Sequence, residues 1–372
     1  MELRSLTLTN FKNIGEASLD FSPKINCFLG DNGMGKSNLL DAIHYLSFCR
    51  SFTGVADTMV IRRGEDFAMA RGIYRRRGAD EELQLGMQRG RRKSLKRAGK
   101  EYTRLADHIG SFPIVMTAPS DTDLARGAAE ERRRWMDMVI SQENHRYLDA
   151  LMRYATALTQ RNRMLRDASS DSALYEAVEL QMEMAAGVIT GARKEWIDKL
   201  RTRFGAFYAA IAGEEEKVDL AYDDSTASPD GIAAGLADAL ARARRRDEAM
   251  RHTTVGPHRD DIVMTLADMP LRRTASQGQT KTFTTALRLA QYEFLREATG
   301  MRPLLLLDDI FDKLDSRRVE RIIQLVASRD FGQIFITDTN RKHLDEILRG
   351  LPAGSSDAYR IWDVDGGAFK AI

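Results

Sequence analysis

Hydrophobic and polar positions alternate through the first thirty residues, and this pattern predicts short β-strands. Residues 3–8 carry leucine at their apolar positions, and residues 17–21 alternate in the same way. Residues 25–29 form a third, mostly apolar run that ends at a glycine-rich segment. Apolar residues then return at helical spacing between residues 38 and 46. Strand, glycine-rich turn and helix, in that order, form the context in which phosphate-binding loops occur.

The glycine-rich segment, residues 30–38, fits the pattern G-x-x-x-x-G-K-[ST] and is called the phosphate loop below. In such a loop, backbone N–H groups at a helix N-terminus surround phosphate, and the helix dipole favours the anion. We expect Lys36 to reach the β- and γ-phosphates and Ser37 to ligate Mg²⁺. The alternative is a plain glycine turn opening a helix. The predicted nucleotide-binding residues are Gly30, Asp31, Asn32, Gly33, Met34, Gly35, Lys36, Ser37 and Asn38.

Alternating positions continue through residues 66–118, which predicts a second β-rich stretch containing a basic hairpin. Residues 83–87 alternate, basic residues follow them, and residues 98–99 offer a turn. The basic residues of interest in this hairpin are Arg91, Arg92, Lys93, Lys96 and Arg97. Any one such cluster is often only a solvated face, but several clusters on a chain of net charge +2 indicate a polarised surface.

From about residue 120 the spacing changes to that of helices. Residues 147–165 and 200–211 keep helical periodicity, residues 225–231 are typical of a loop, and residues 232–246 predict another helix. We interpret residues 120–248 as a helical insertion.

Strand patterns return after the insertion and end in a pair of carboxylates. A strand is predicted at 261–266, a helix at 281–299, a buried parallel strand at 303–309, a helix at 319–328 and a strand at 333–337. Asp308 lies where a phosphate-loop protein holds Mg²⁺, and the adjacent Asp309 could act as general base. Taken alone, the stretch is more typical of a core strand running into a turn. About 270 residues separate Lys36 from Asp308, so an inserted domain must divide the sheet.

Residues 276–281 read Ser-Gln-Gly-Gln-Thr-Lys at the start of a predicted helix. An exposed serine among small residues at a helix N-terminus is suited to contact a γ-phosphate. Ser276 with Gln279 also fits an ordinary capping box, and from this stretch alone the cap is favoured.

Composition points to a soluble protein of the cytoplasm. Hydrophobic residues make up 43% and charged residues 30%, and no apolar run approaches the roughly 18 residues needed to span a bilayer. The start of the chain has no apolar segment typical of a secretory signal. Cys27 and Cys49 suit no zinc motif and are expected to be buried, reduced thiols.

The opening LTLTNFKN, the loop GDNGMGKSN, the helix start SQGQTK and the run LLLLDDIFDKLD together resemble the ABC-type ATPase heads of the SMC and Rad50 group. Within that group the chain resembles the RecF family, and residues 121–137 and 254–261 support the likeness. The resemblance implies an α/β fold: an ABC-type P-loop ATPase head with a β-rich N-terminal part and a parallel-sheet core, carrying an inserted helical domain. The head would comprise residues 1–119 and 249–372, and residues 120–248 would form a helical arm or lid.

The resemblance also implies a function. ATP with Mg²⁺ would be held between two protomers, the signature residues Ser276, Gly278 and Gln279 of one meeting the γ-phosphate held by Lys36 of the other. Residues 311–315 would be the D-loop. Members of this family bind single-stranded DNA and gapped or junction duplexes, cooperate with RecR and RecO, and help to load recombinase. We therefore expect DNA contacts at the basic hairpin, and less so at residues 132–134.

Three departures from the general ABC pattern bear on these roles. Asp309 stands where most ABC ATPases carry glutamate, which predicts slow turnover. Asp312 and Lys313 form an unusual D-loop interior, and residues 337–339 contain no switch histidine. Residues 256–260 resemble the family, and a rigid turn held by a salt bridge explains them adequately. The competing classes are a transporter ATPase subunit, a long-armed structural protein, a nuclease, and a head that acts through a separate protein partner rather than on DNA.

Overall fold

The computed structural model describes residues 1–227, 235–311, 314–327, 331–339 and 359–372. The chain divides into two compact units, and both are discontinuous in sequence. Unit 1 comprises Met1–Asp121, Phe207–Gly213 and Gln277–Ile372, and unit 2 comprises Thr122–Ala206 and Glu214–Ser276. Unit 2 therefore extends further than the predicted insertion of residues 120–248.

Unit 1 contains two six-stranded sheets and their helices. Its first segment holds β1 (Glu2–Phe11), β2 (Ile14–Asp20), β3 (Ile25–Leu29), α1 (Lys36–Phe48), α2 (Asp57–Val60), β4 (Phe67–Arg76), β5 (Ala79–Gln88), β6 (Ser94–Arg97), β7 (Lys100–Glu101) and β8 (Ile114–Thr117). Short 3-10 helices lie at Leu105–His108 and Pro119–Asp121.

Unit 2 contains helices and one small antiparallel sheet. Its elements are α3 (Thr122–Arg126), α4 (Ala129–Glu143), α5 (His145–Arg166), most of α6 (Ser172–Ala212), β9 (Val218–Asp223), α7 (Leu236–Met250), β10 (Asp261–Leu266), β11 (Met269–Pro270) and α8 (Leu271–Thr274). The sheet has the order β11-β10-β9. The insertion predicted as helical at residues 120–248 therefore contains one strand, β9.

The last segment of unit 1 completes its second sheet. It holds α9 (Gln277–Thr299), β12 (Leu304–Asp308), α10 (Ser316–Ala327), β13 (Ile334–Asp338), β14 (Tyr359–Asp365) and β15 (Ala368–Ala371). The sheet order is β15-β14-β3-β13-β12-β8, with parallel pairing from β14 to β8 and an antiparallel β15 at one edge. Every residue of β3 and β12 is buried, which explains why both strands read as continuous apolar runs.

The other sheet of unit 1 is antiparallel, in the order β2-β1-β4-β5-β6-β7. Helix α1 packs against both sheets, contacting β1, β4 and β5 on one side and β8, β12 and β13 on the other. The apolar side chains between Leu39 and Leu46 are consequently inaccessible to solvent on all faces of the helix. The helix that follows the phosphate loop is thus fixed inside unit 1 rather than lying on its surface.

Most predicted elements are present, with shifted ends. Helix α9 begins four residues before the predicted start at 281, and α7 covers Leu236–Met250 rather than 232–246. The helical stretch predicted at residues 200–211 is the end of a much longer helix, α6, of 41 residues. Part of the predicted loop at 225–231, the first residues of the predicted 232–246 helix and the end of the 319–328 helix lie outside the described residues. No helix in the described part of the chain is long and apolar enough to cross a membrane.

Candidate nucleotide-binding site

The phosphate loop connects β3 to α1, and its glycines allow a backbone that other residues would strain. Gly35 is the N-cap of α1 with φ 113°, and Gly33 has φ 83°. A Cβ atom on Gly35 would lie 2.9 Å from the Asn13 side-chain nitrogen. Asn13, in the β1–β2 turn, also accepts a hydrogen bond of 2.8 Å from Asn38 Nδ2. The β1–β2 turn therefore fixes the start of α1 from one side.

The β14–β15 hairpin supports the same loop from another side. A Cβ atom on Gly30 would lie 2.3 Å from the Val364 carbonyl oxygen, so only glycine fits at this point. The backbone N–H of Gly367 donates to Met34 O at 2.8 Å. Sequence reasoning did not anticipate this support, because residues 359–371 contain no motif that links them to the loop.

Lys36 and Ser37, the first residues of α1, form hydrogen bonds with different parts of unit 1. Lys36 is 4% exposed, and its Nζ donates to the carbonyl oxygens of Gly30 at 2.6 Å and Asp31 at 2.9 Å. The Ser37 hydroxyl donates to Asp308 Oδ1 at 2.8 Å. The fold thus brings Ser37 and Asp308 into contact although 271 positions separate them.

Asp308 and Asp309 lie at the carboxyl end of β12. Burial raises the pKa of Asp308, while hydrogen bonds from Thr337 and Ser37 favour its charged form and oppose that rise. Burial raises the pKa of the half-buried Asp309, and the neighbouring Asp308 charge raises it further. Asp309 also adopts a left-handed backbone conformation with φ 44°, which is uncommon for a residue other than glycine.

The chemistry of these groups fits a nucleotide with a divalent cation. The Ser37 hydroxyl and the Asp308 carboxylate both offer oxygen ligands, the kind that Mg²⁺ prefers. The two groups lie within hydrogen-bond distance of each other. The N-terminus of α1 and the Lys36 ammonium supply positive charge to phosphate. The residues present therefore match the requirements of a phosphate-and-magnesium site.

The predicted signature residues flank the start of α9. Unit 2 ends at Ser276 and unit 1 resumes at Gln277, the first residue of the helix. Ser276 is exposed, and Gly278 and Gln279 are half-buried. Lys281 Nζ donates to the Asp309 carbonyl oxygen at 3.2 Å, which ties the start of α9 to the acidic pair within one chain. Of the predicted D-loop, residues 312 and 313 lie outside the described residues.

The basic hairpin predicted for DNA contact consists of the end of β5, the turn after it, β6 and β7. Arg91, Arg92 and Lys96 are exposed. Arg97 forms an ion pair with Glu81 at 2.6 Å. Lys93, by contrast, is only partly exposed.

Lys93 points away from the exposed face of the hairpin. Its Nζ lies 2.9 Å from Asp57 Oδ2, 2.5 Å from the Cys49 carbonyl oxygen and 5.4 Å from the centre of the Tyr45 ring. Tyr45 and Cys49 lie at the C-terminal end of α1. Lys93 therefore anchors the hairpin to α1, and its predicted role as a DNA contact is not favoured.

Arg132 and Arg133, the less favoured candidates for DNA contact, form hydrogen bonds within unit 2. Arg132 forms a bidentate ion pair with Asp261 at 2.6 and 2.9 Å, and Arg133 donates to the Asp260 carbonyl oxygen at 2.7 Å. The buried Asp260 side chain lies 3.4 Å from Arg193 Nη1, which also donates to Pro257 O at 2.7 Å. The interpretation of residues 256–260 as a turn held by a salt bridge is confirmed.

The fold and the site together define a class of protein. The family model described as RecF/RecN/SMC N terminal domain matches residues 2–351. The Smc head domain of Pyrococcus furiosus, solved with an extended coiled coil and the C-terminal domain of ScpA, shares the fold with a TM-score of 0.58 at 16% identity, over 100% of this chain and 96% of that one. The chain has the fold of an ABC-type ATPase head of the SMC group.

More similar relatives identify the family within that class. The DNA replication and repair protein RecF of Parabacteroides distasonis is 48% identical over 94% of this chain and 95% of its own length, and that of Phocaeicola vulgatus is 47% identical over 99% and 97%. A solved structure of the recombination mediator protein RecF-ATP in the RecFOR pathway superposes with a TM-score of 0.86 at 26% identity, covering 100% of this chain and 99% of that one. The chain belongs to the RecF family of DNA replication and repair proteins.

Proposed function

We propose that this protein is an ATP-dependent DNA-binding protein of recombinational repair and replication-fork maintenance. It closes as a homodimer on single-stranded DNA and single-strand/duplex junctions when ATP is bound, and it helps to load recombinase with RecR and RecO. The observation that carries the proposal is the Ser37–Asp308 hydrogen bond of 2.8 Å beside the Lys36 side chain. That contact joins the two halves of a phosphate-and-magnesium site across the sequence.

In this proposal each residue of the site has one task. The backbone of the phosphate loop and Lys36 bind the triphosphate, and Ser37 and Asp308 hold Mg²⁺. When bound, Mg²⁺ neutralises charge on the phosphate oxygens. Asp309 accepts a proton from the attacking water as general base. Asp309 is a shorter acid than the glutamate that most ABC ATPases carry at this position, so we expect slow hydrolysis.

The signature residues complete the site from a second protomer. The exposed Ser276 and the half-buried Gly278 and Gln279 lie at the N-terminus of α9, where the helix dipole favours a γ-phosphate. ATP would thus stabilise a dimer in which each protomer contributes one face of each site, and loss of the γ-phosphate would weaken it.

DNA contacts are proposed at Arg91, Arg92 and Lys96, three exposed basic residues of the hairpin, and with lower weight at the partly exposed Arg97. These side chains bind phosphates, so they read the shape of DNA rather than its sequence. Removing one phosphate-binding cation should reduce the slope of log K against log salt by about 0.9 on duplex DNA. Arg91→Gln with Arg92→Gln should therefore flatten the slope by about 2. Arg163→Gln with Arg166→Gln, two exposed arginines of α5, is a control with the same charge change.

The decisive experiment is fluorescence anisotropy of a labelled gapped duplex with no nucleotide, with ADP, with ATP, and with ATP and the Lys36→Met variant. Tight binding that needs ATP and is lost in Lys36→Met supports the clamp. DNA affinity that is the same with and without nucleotide, in a protein that still binds ATP, would refute the coupling between ATP binding and DNA binding. It would favour the second candidate, a head of the same class that acts through a protein partner.

A further inference from the structure

Thr337 lies beside both acidic residues of the site, at the carboxyl end of the neighbouring strand. Strand β13 pairs with β12 in parallel, and Thr337 is the register partner of Asp308. The side chain is inaccessible to solvent. The sequence drew attention to this position only because no histidine follows it.

The Thr337 hydroxyl makes two hydrogen bonds, one to each aspartate. It donates to Asp308 Oδ1 at 2.6 Å and accepts from the Asp309 backbone N–H at 3.1 Å. The first bond fixes the orientation of the Asp308 carboxylate. The second fixes the backbone at Asp309, whose φ of 44° lies in the left-handed region.

Ser37 and Thr337 donate to the same carboxylate oxygen. If the Ser37 hydroxyl turns its oxygen to a cation, its hydrogen bond to Asp308 is given up, but the Thr337 bond does not depend on Ser37. A buried hydroxyl that holds a metal-binding carboxylate in place is the kind of partner whose loss costs about 10- to 100-fold in metal affinity.

We infer that Thr337 is a positioning residue for the cation site, holding the Asp308 carboxylate in its metal-binding orientation and fixing the backbone of Asp309. This inference rests on the proposed function, because it assigns Thr337 to the same Mg²⁺ site. The role acts through the two aspartates rather than through contact with the nucleotide.

A second buried threonine, at the carboxyl end of another strand of the same sheet, provides a matched control. Thr117, at the end of β8, is 4% exposed, and its hydroxyl lies 3.5 Å from the Leu306 carbonyl oxygen rather than next to a carboxylate. Thr337→Val and Thr117→Val remove one hydroxyl each at nearly constant volume. Thr337→Ser keeps the hydroxyl and removes only a methyl group.

The test measures Mn²⁺ affinity by electron paramagnetic resonance in the presence of a non-hydrolysable ATP analogue, and analogue affinity in EDTA by fluorescence. Thr337→Val should weaken Mn²⁺ binding about tenfold or more, with nucleotide affinity in EDTA within about twofold of the unsubstituted protein. Thr337→Ser should restore Mn²⁺ affinity to within about threefold, and Thr117→Val should leave it unchanged. Thermal unfolding of each variant reports whether the fold persists.

Three results would overturn the inference. Unchanged Mn²⁺ affinity in Thr337→Val would remove the positioning role and leave the proposed function intact. Equal losses in Thr337→Val and Thr337→Ser would show that packing, and not the hydroxyl, matters. Absence of nucleotide-dependent Mn²⁺ binding by the unsubstituted protein would overturn the proposed function, and this role would fall with it.

Discussion

The buried ion pair between Arg288 of α9 and Asp121 allows a test of how burial changes the contribution of a salt bridge to the stability of unit 1. Arg288 and Asp121 form two hydrogen bonds, at 2.6 and 3.0 Å, and both side chains are less than 10% exposed. Asp121 also accepts from the Ala118 backbone N–H at 3.2 Å. Arg288→Met would leave a buried carboxylate without its cation, which costs about 3 to 5 kcal/mol.

That cost can be expressed as a change in melting temperature. For a cooperative unit of about 220 residues, each kcal/mol lowers Tm by about 2 to 4 °C, so Arg288→Met should lower Tm by about 6 to 20 °C. The assay is thermal unfolding followed by circular dichroism at fixed pH and salt. The double variant Asp121→Asn with Arg288→Met should be destabilised by less than the sum of the two single variants, because neither partner is then left charged alone.

The control uses an ion pair of the same length on the surface of the same unit. Arg71 and Glu82 are separated by 2.6 Å, as are Arg288 and Asp121, but their side chains are 47% and 33% exposed. Solvent screens such a pair, so Arg71→Met should lower Tm by no more than about 4 °C. Equal shifts for Arg288→Met and Arg71→Met would refute the reasoning that burial, rather than distance, sets the cost.

Three further predictions test the site and its surroundings. Gly30→Ala should abolish ATP binding measured by fluorescence titration, because its Cβ would lie 2.3 Å from the Val364 carbonyl oxygen; full binding would contradict the fit described for the loop. Cys27 and Cys49 are buried, and burial raises the pKa of Cys49 to about 12. Neither thiol should therefore react with a chromogenic disulfide until the protein is unfolded. Rapid reaction of either thiol in the native protein would contradict this expectation. A general base must be deprotonated, and the pKa of Asp309 is raised. On acidification, the hydrolysis rate should therefore fall at a pH above the ordinary pKa range of aspartate. A rate that stays constant down to about pH 4 would exclude Asp309 as the base.

The sequence was most informative where a pattern is local. The phosphate loop and the apolar strand ending at Asp308 each carry their signal within ten residues, because backbone conformation and full burial restrict nearby positions. Helix ends were less accurate: α9 begins before residue 281 because its first turn is polar and gives no apolar periodicity. Strand β14 and the edge strand β15 were not predicted at all.

Contacts between distant positions could not be inferred from periodicity. Val364 at Gly30 and Thr337 at Asp308 are tertiary neighbours whose meeting depends on sheet order, which local spacing does not encode. Lys93 shows the same limit, since its place in a basic run gives no sign that its ammonium contacts Asp57 and the Cys49 carbonyl oxygen. The sequence gives the charge of this lysine but not the direction in which its side chain points.

The order of strands in the parallel sheet has a consequence for how the protein is made. Strand β3, which leads into the phosphate loop, is flanked by β13 and β14, and both follow it by roughly 300 residues or more. At a synthesis rate of about 5 to 20 residues per second, β3 leaves the ribosome about 15 to 65 s before either neighbour exists. Throughout that interval the most apolar early strand of the chain has two open edges, the arrangement that invites pairing with other chains. Faster translation and a larger supply of chaperones should therefore raise the yield of folded protein.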